Sequence, residues 1–79
     1  MLQIRIVSNA GTVYEGKAMH VTFPGELGSF AVYPKHAPFI STLVKGHIVC
    51  FPANGEKQTI PIQGGFMEVN ADQVTACIE

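Results

Sequence analysis

The sequence predicts an all-β domain, a sandwich or barrel of about nine short strands. Three observations carry this. Short runs rich in β-branched and aromatic residues recur along the chain, with turn residues mostly about every 8 to 12 positions. No stretch sustains the i, i+3, i+4, i+7 spacing of an amphipathic helix, and no capping residue precedes one. Asn54-Gly55 follows an apolar run, the dipeptide that most often turns a hairpin.

Taken in order, Leu2 to Ile6 alternates apolar and polar residues, the period of a half-buried strand, and Asn9-Ala10-Gly11 turns it. Thr12 to Glu15 resumes as a second strand. Met19, Val21 and Phe23 alternate with Ala18, His20 and Thr22, so they are expected to form the inner face of a third. Phe30 to Tyr33, Phe39 to Val44, His47 to Phe51, Glu56 to Ile62, Phe66 to Val69 and Val74 to Ile78 complete the set. Lys45-Gly46 and Asn70-Ala71-Asp72 read as turns, and Gly64-Gly65 as a bend or bulge. Two strands are apolar on both faces: Phe39 and Leu43 oppose Ile40 and Val44, and Val49 and Phe51 oppose Ile48 and Cys50. A sandwich strand needs one apolar face for its own core, so the second is either folded into a curved core or reserved for a partner.

The densest stretch is Gly25 to Pro38, GELGSFAVYPKHAP. Pro24-Gly25 is expected to open it as a turn, since proline presets φ and glycine accepts positive φ. Pro34 and Pro38 close it, each biasing the preceding residue towards extended backbone. A rigid corner results, displaying Glu26 and His36, and such corners on a β scaffold are where binding residues concentrate.

Composition narrows the function. Seventy-nine residues make one domain, 1–79, near the lower size at which chains fold alone. Hydrophobic residues are 47% and charged residues 14%, against a usual charged share of about 25%, which argues against disorder and for a surface covered by another protein. The net charge is −1 and there is no basic run, so no nucleic-acid footprint is present. No apolar run approaches the roughly 20 residues of a membrane helix, and MLQIRIVS lacks the apolar core and cleavage site of a signal peptide. A soluble intracellular protein without membrane insertion is expected, with Cys50 and Cys77 as buried free thiols.

Motifs for catalysis are sparse. The single aspartate, Asp72, falls in a turn, which leaves a Ser-His pair without an orienting partner. His20, His36 and His47 have no metal-ligand spacing, and His20 and His47 read as exposed strand residues. Gly64-Gly65 is followed by neither helix nor lysine, unlike a phosphate loop. No cofactor or metal site is expected. Two other classes stay open: a small ligand-binding barrel, which needs an exposed aromatic platform, and a small β enzyme of cupin type, which needs clustered histidines.

GELG at 25–28, YPxHAP at 33–38, L-x-x-G-x-I at 43–48, GG-F-x-E-V at 64–69 and V-T at 74–75 occur in the order found in one family, and Ile4, Val7 and Ser8 fit its opening strand. The chain resembles the ε subunit of F-type ATP synthases along essentially its whole length. The segment around Ser29 to Val32 carries additional residues relative to the bacterial pattern. The chain stops at Glu79, where the bacterial subunit continues into a helical hairpin; the functions attributed to those helices, self-inhibition of ATP hydrolysis and nucleotide sensing, are expected to be absent if the protein ends there, and lie outside these residues if it continues.

The resemblance implies a flattened antiparallel β-sandwich of about nine to ten short strands. It implies a non-catalytic central-stalk rotor subunit, peripheral on the cytoplasmic face of the bacterial membrane, that clamps the γ subunit to the polar loops of the c-ring. Carried over by position, Glu26, Leu27, Gly28, Pro34 and His36 fall on the ring-facing side, with Glu26 meeting a basic or amide group. Ser8, Phe39, Ile40, Ser41 and Leu43 are the γ-side candidates.

Overall fold

Alternation of apolar and polar residues along short segments builds strands, and the side on which the apolar set falls builds the core. The computed structural model describes residues 1–79 and contains nine strands: β1 (Leu2–Ser8), β2 (Gly11–Ala18), β3 (His20–Gly25), β4 (Gly28–Val32), β5 (His36–Leu43), β6 (Gly46–Phe51), β7 (Gln58–Ile62), β8 (Gly65–Ala71) and β9 (Gln73–Ile78). They hydrogen-bond in the order β2-β1-β9-β8-β5-β3-β6-β7, with β4 on the other edge of β3. All pairings are antiparallel except β1 with β9, so the sheet is mixed rather than wholly antiparallel as expected.

The sheet folds on itself at one place. β5 meets β3 through a single residue pair, Gly25 with Leu43, whereas every other neighbour is joined along three or more. This divides the sheet into a five-stranded leaf (β2-β1-β9-β8-β5) and a four-stranded leaf (β4-β3-β6-β7). Leu2, Ile4, Ile6, Met67, Val69, Val74 and Ala76 from the first leaf and Val21, Phe23, Val32, Ile48, Cys50 and Ile62 from the second form one buried cluster, the filling of a sandwich.

β5 and β6 act as two halves of one strand that changes leaf, the usual way a sandwich corner is made. The bend lies at Val44-Lys45, opposite Pro24. The Val44 N–H donates to the Pro24 carbonyl at 2.9 Å, and the Glu26 N–H to the Thr42 carbonyl at 3.3 Å. Two glycines permit the close approach. A Cβ on Gly25 would stand 2.7 Å from the Gly28 carbonyl oxygen and 2.7 Å from the Phe30 ring, and one on Gly46 would stand 2.8 Å from Pro24 Cβ.

Several boundaries differ from the sequence reading. Pro24 and Gly25 are the last residues of β3, still in the ladder, and the turn is the two-residue Glu26-Leu27 with positive φ falling on Gly28. Gly46 is the first residue of β6 rather than part of a turn. Met19 is 53% exposed and Ala18 fully buried, because a bend at Met19 separates β2 from β3 and reverses the alternation; Val21 and Phe23 face inward as expected. Asn54-Gly55 lies inside a longer 52–57 connection, and β7 starts at Gln58. The segment around Ser29 to Val32 is strand β4 itself, with Val32 in the core, so it is integral to the sandwich. Both cysteines are free, but Cys77 is only half-buried, on the opposite side of β9 from Ala76.

Gly25→Ala should cost about 2 kcal/mol, because the Cβ meets backbone and a packed ring that have nowhere to go. For a domain of this size that lowers the melting temperature by roughly 10 °C; an unchanged melt would contradict the corner geometry. Burial pushes the Cys50 thiol from 9.0 up to about 11. The folded state therefore holds a proton that the unfolded chain releases first, so stability falls as pH rises from about 9 to 11. The loss should be shallower in Cys50→Ala, compared by thermal melts across that range; parallel curves would refute the assignment.

Candidate partner-contact site

The β3–β4 hairpin and β5 together shape the surface that carries most of the candidate residues. Gly25 ends β3, Glu26 and Leu27 form the tip, and Gly28 begins β4. Glu26 and Gly28 are exposed and Leu27 projects fully into solvent at 104%. An apolar side chain at a hairpin tip gains nothing from the fold it belongs to. Gly25 to Phe30 face Phe39 to Thr42 across an open groove of about 490 Å³. Glu26, Leu27, Gly28, Phe39, Ile40 and Ser41, divided in the sequence reading between two partners, thus border one another.

The groove has an aromatic floor that runs out of the core. Phe23, 1% exposed, stacks on Phe30 at 5.7 Å; Phe30 meets Phe39 edge-on at 5.6 Å; Phe39 meets the His36 ring at 5.8 Å. Such ring geometries are favourable beyond simple area burial. Phe39 is 40% exposed and Ile40 68% exposed, on opposite sides of β5. Leu43 does not belong with them. It faces inward at 3% exposure and packs in the core beside the Gly25 corner, so it offers no contact surface.

Pro34 and His36 lie elsewhere on the molecule from Glu26. Glu26 is level with Thr42, whereas His36 pairs with Ala71 at the start of β5. Six positions of strand separate those levels, roughly 20 Å. Pro34 and Lys35 form a turn, with Lys35 at φ 63 and its N–H donating to the Asp72 carboxylate at 2.7 Å. The pairing of β5 with β8 shifts between His36 and Phe39, where Pro38 has no N–H to give the ladder. His36 is half-buried, with Nδ1 2.7 Å from the Ala37 carbonyl oxygen.

Ser8 ends β1, three strands from β5 and roughly 14 Å across the leaf. Its hydroxyl accepts the Ala10 N–H at 3.2 Å and donates to the Gly11 carbonyl at 3.4 Å, closing its own turn. Between Ser8 and β5, the row Thr42, Phe66, Cys77, Val7 crosses the outer face of the five-stranded leaf. Phe66, 52% exposed, was not singled out from sequence, although alternation with buried Met67 and Val69 places it outward.

A second feature went unread. His20 lies between Phe51 (4.2 Å) and Tyr33 (5.1 Å) in a near-parallel stack on the four-stranded leaf. Cross-strand register sets it: His20 pairs with Phe51, and Tyr33 follows the Val32 that pairs with Val21. It is therefore half-buried in a ring stack and not an exposed strand residue; His47 is exposed as expected. No three His, Cys, Asp or Glu side chains are grouped so that they could hold a metal ion, and no helix is long and apolar enough to cross a membrane.

The fold is thus a two-leaved β-sandwich with an open groove at its corner, bordered by Leu27, Phe30, Phe39 and Ile40. The chain belongs to the family described as ATP synthase, Delta/Epsilon chain, beta-sandwich domain, which it matches over residues 1–79. It is 41% identical over 78 residues to an ATP synthase epsilon chain of Nitratiruptor, covering 99% of this chain and 60% of that protein. It is 40% identical over 74 residues to one of Xanthomonas oryzae, covering 94% of this chain and 53% of that protein. The chain thus spans a little more than half the length of the curated relatives it matches. Among solved structures, a chain of the Euglena gracilis mitochondrial ATP synthase assembly of OSCP, F1 and c-ring superposes with a TM-score of 0.90 at 19% identity, covering 98% of this chain and 49% of that one. A chain of the Tetrahymena thermophila mitochondrial ATP synthase central stalk and c-ring superposes at 0.79 and 11% identity, covering 98% and 62%. At such identities these two matches speak to the fold alone.

Proposed function

We propose that this domain is the connector of a rotary ATP synthase central stalk, a non-catalytic part that holds γ to the c-ring on the cytoplasmic face of the membrane so that ion-driven rotation reaches the sites of ATP synthesis. The observation that carries this reading is the corner groove. A connector must offer two surfaces on one stiff body, and here a projecting hairpin tip and an apolar strand meet at the point where both leaves are joined. A packed core and hydrogen-bonded ladders transmit force with little give.

The chemistry divides the two surfaces. The tip, Glu26-Leu27-Gly28, projects a carboxylate suited to a basic or amide group on a polar c-ring loop. The γ candidates on β5 fall on both of its sides, Phe39 and Ser41 along the groove and Ile40, with Phe66 beyond it, on the outer face, so that the strand offers γ an apolar edge. His36 packs on Phe39, so it and Pro34 belong with the γ surface in this arrangement and not with the ring. Ser8 extends the same leaf towards γ.

Calorimetric titration of the chain with its cognate γ subunit should give a one-to-one complex with a negative heat-capacity change, the mark of buried apolar surface. Glu26→Lys should leave that titration and the melting temperature within about 0.5 kcal/mol of the parent, since the side chain is an exposed turn charge. It should instead weaken assembly on a γ–c-ring complex. Unchanged assembly would remove Glu26 from the ring contact, and absence of any γ complex would remove the connector reading.

A further inference from the structure

The turn bearing His36 is held by a residue of a different hairpin. The turn at Pro34-Lys35 puts Lys35 at φ 63, a left-handed backbone position that favours glycine. Lysine there carries a Cβ that disfavours left-handed backbone. On the β5 side a single ladder pair, His36 with Ala71, adjoins the turn before the β5–β8 register breaks ahead of Phe39. What meets the turn is Asp72, whose carboxylate accepts the Lys35 N–H at 2.7 Å. Asp72 is itself fixed: it follows Ala71 (φ 57) in the tight β8–β9 connection, and its carbonyl accepts the Gln3 N–H at 2.7 Å. Three segments distant in sequence, the start of β1, the 33–36 turn and the β8–β9 hairpin, converge on this one residue.

We propose that Asp72 is a positioning residue for docking: it locks the Tyr33–His36 turn so that His36, through its contact with Phe39, presents a preformed edge to γ. This rests on the connector reading and adds to it the residue that shapes the γ surface. The bond is charge-assisted, and bonds of that kind are about twice as strong as neutral ones. A turn already in its bound form loses less freedom on association, so releasing it weakens binding without removing a contact.

The test uses three variants of the chain, with amide exchange read at Lys35 and affinity read against γ. Asp72→Ala should speed exchange of the Lys35 amide about tenfold and weaken γ binding about tenfold, the worth of one hydrogen bond to a charged group. Asp72→Asn keeps an acceptor oxygen in place and should stay within about threefold of the parent. Lys35→Gly added to Asp72→Ala should recover most of the affinity, because glycine adopts the left-handed turn unaided; a general loss of stability would not be rescued this way. Unchanged Lys35 exchange in Asp72→Ala overturns the lock. Faster exchange with unchanged γ affinity leaves the lock and overturns its role in docking. A parent chain that binds no γ overturns the connector reading itself, and this role with it.

Discussion

The fold depends on the crossing at Gly25. There a single residue pair, Gly25 with Leu43, carries the hydrogen-bonded continuity between two leaves, and Pro24, Gly28, Phe30, Val44 and Gly46 crowd around it. Without a side chain at 25, β5 can approach β3, bend at Val44-Lys45 and continue as β6 on the other leaf. The bend brings the two apolar faces together over one core. It also aims the β3–β4 hairpin along β5, which creates the groove. One steric allowance thus underlies both the packing and the contact surface.

The same crossing gives the contact surface its stiffness. The aromatic series Phe23, Phe30, Phe39 and His36 runs from the closed core to the exposed edge, so the outermost rings are braced by the innermost. Displacing Phe39 disturbs Phe30, and displacing Phe30 disturbs Phe23 in the core. Contacts of this kind make the exposed edge stiff, since the interior they run into is close-packed and deforms little.

Much of the fold was legible in local pattern. Period-two alternation placed Leu2, Ile4, Ile6, Val21 and Phe23, and the count of nine strands followed from the spacing of turn residues. What failed depended on tertiary register. Met19 was read as inward because its alternation with Val21 continues through a bend that only the β2–β3 junction reveals. Leu43 was read as a surface residue because a strand apolar on both faces does not say which face meets the core. The parallel pairing of β1 with β9 joins the two ends of the chain, and no local pattern encodes it. At the site, the GELG and YPxHAP motifs did mark the hairpin and the turn. Their separation along β5, the Asp72 lock and the His20 stack arise from cross-strand neighbours far apart in sequence, and were invisible for that reason.

The central claim is that one rigid corner serves two partners through distinct surfaces. The most direct measurement is hydrogen exchange of the chain free, with γ, and with a γ–c-ring complex. The account predicts that γ alone protects the backbone from His36 to Ser41, and that adding the ring extends protection to Glu26, Leu27 and Gly28. Protection confined to the opposite leaf, around Thr22, Ala31 and Val49, or protection of the hairpin tip by γ with no change when the ring is added, would contradict it.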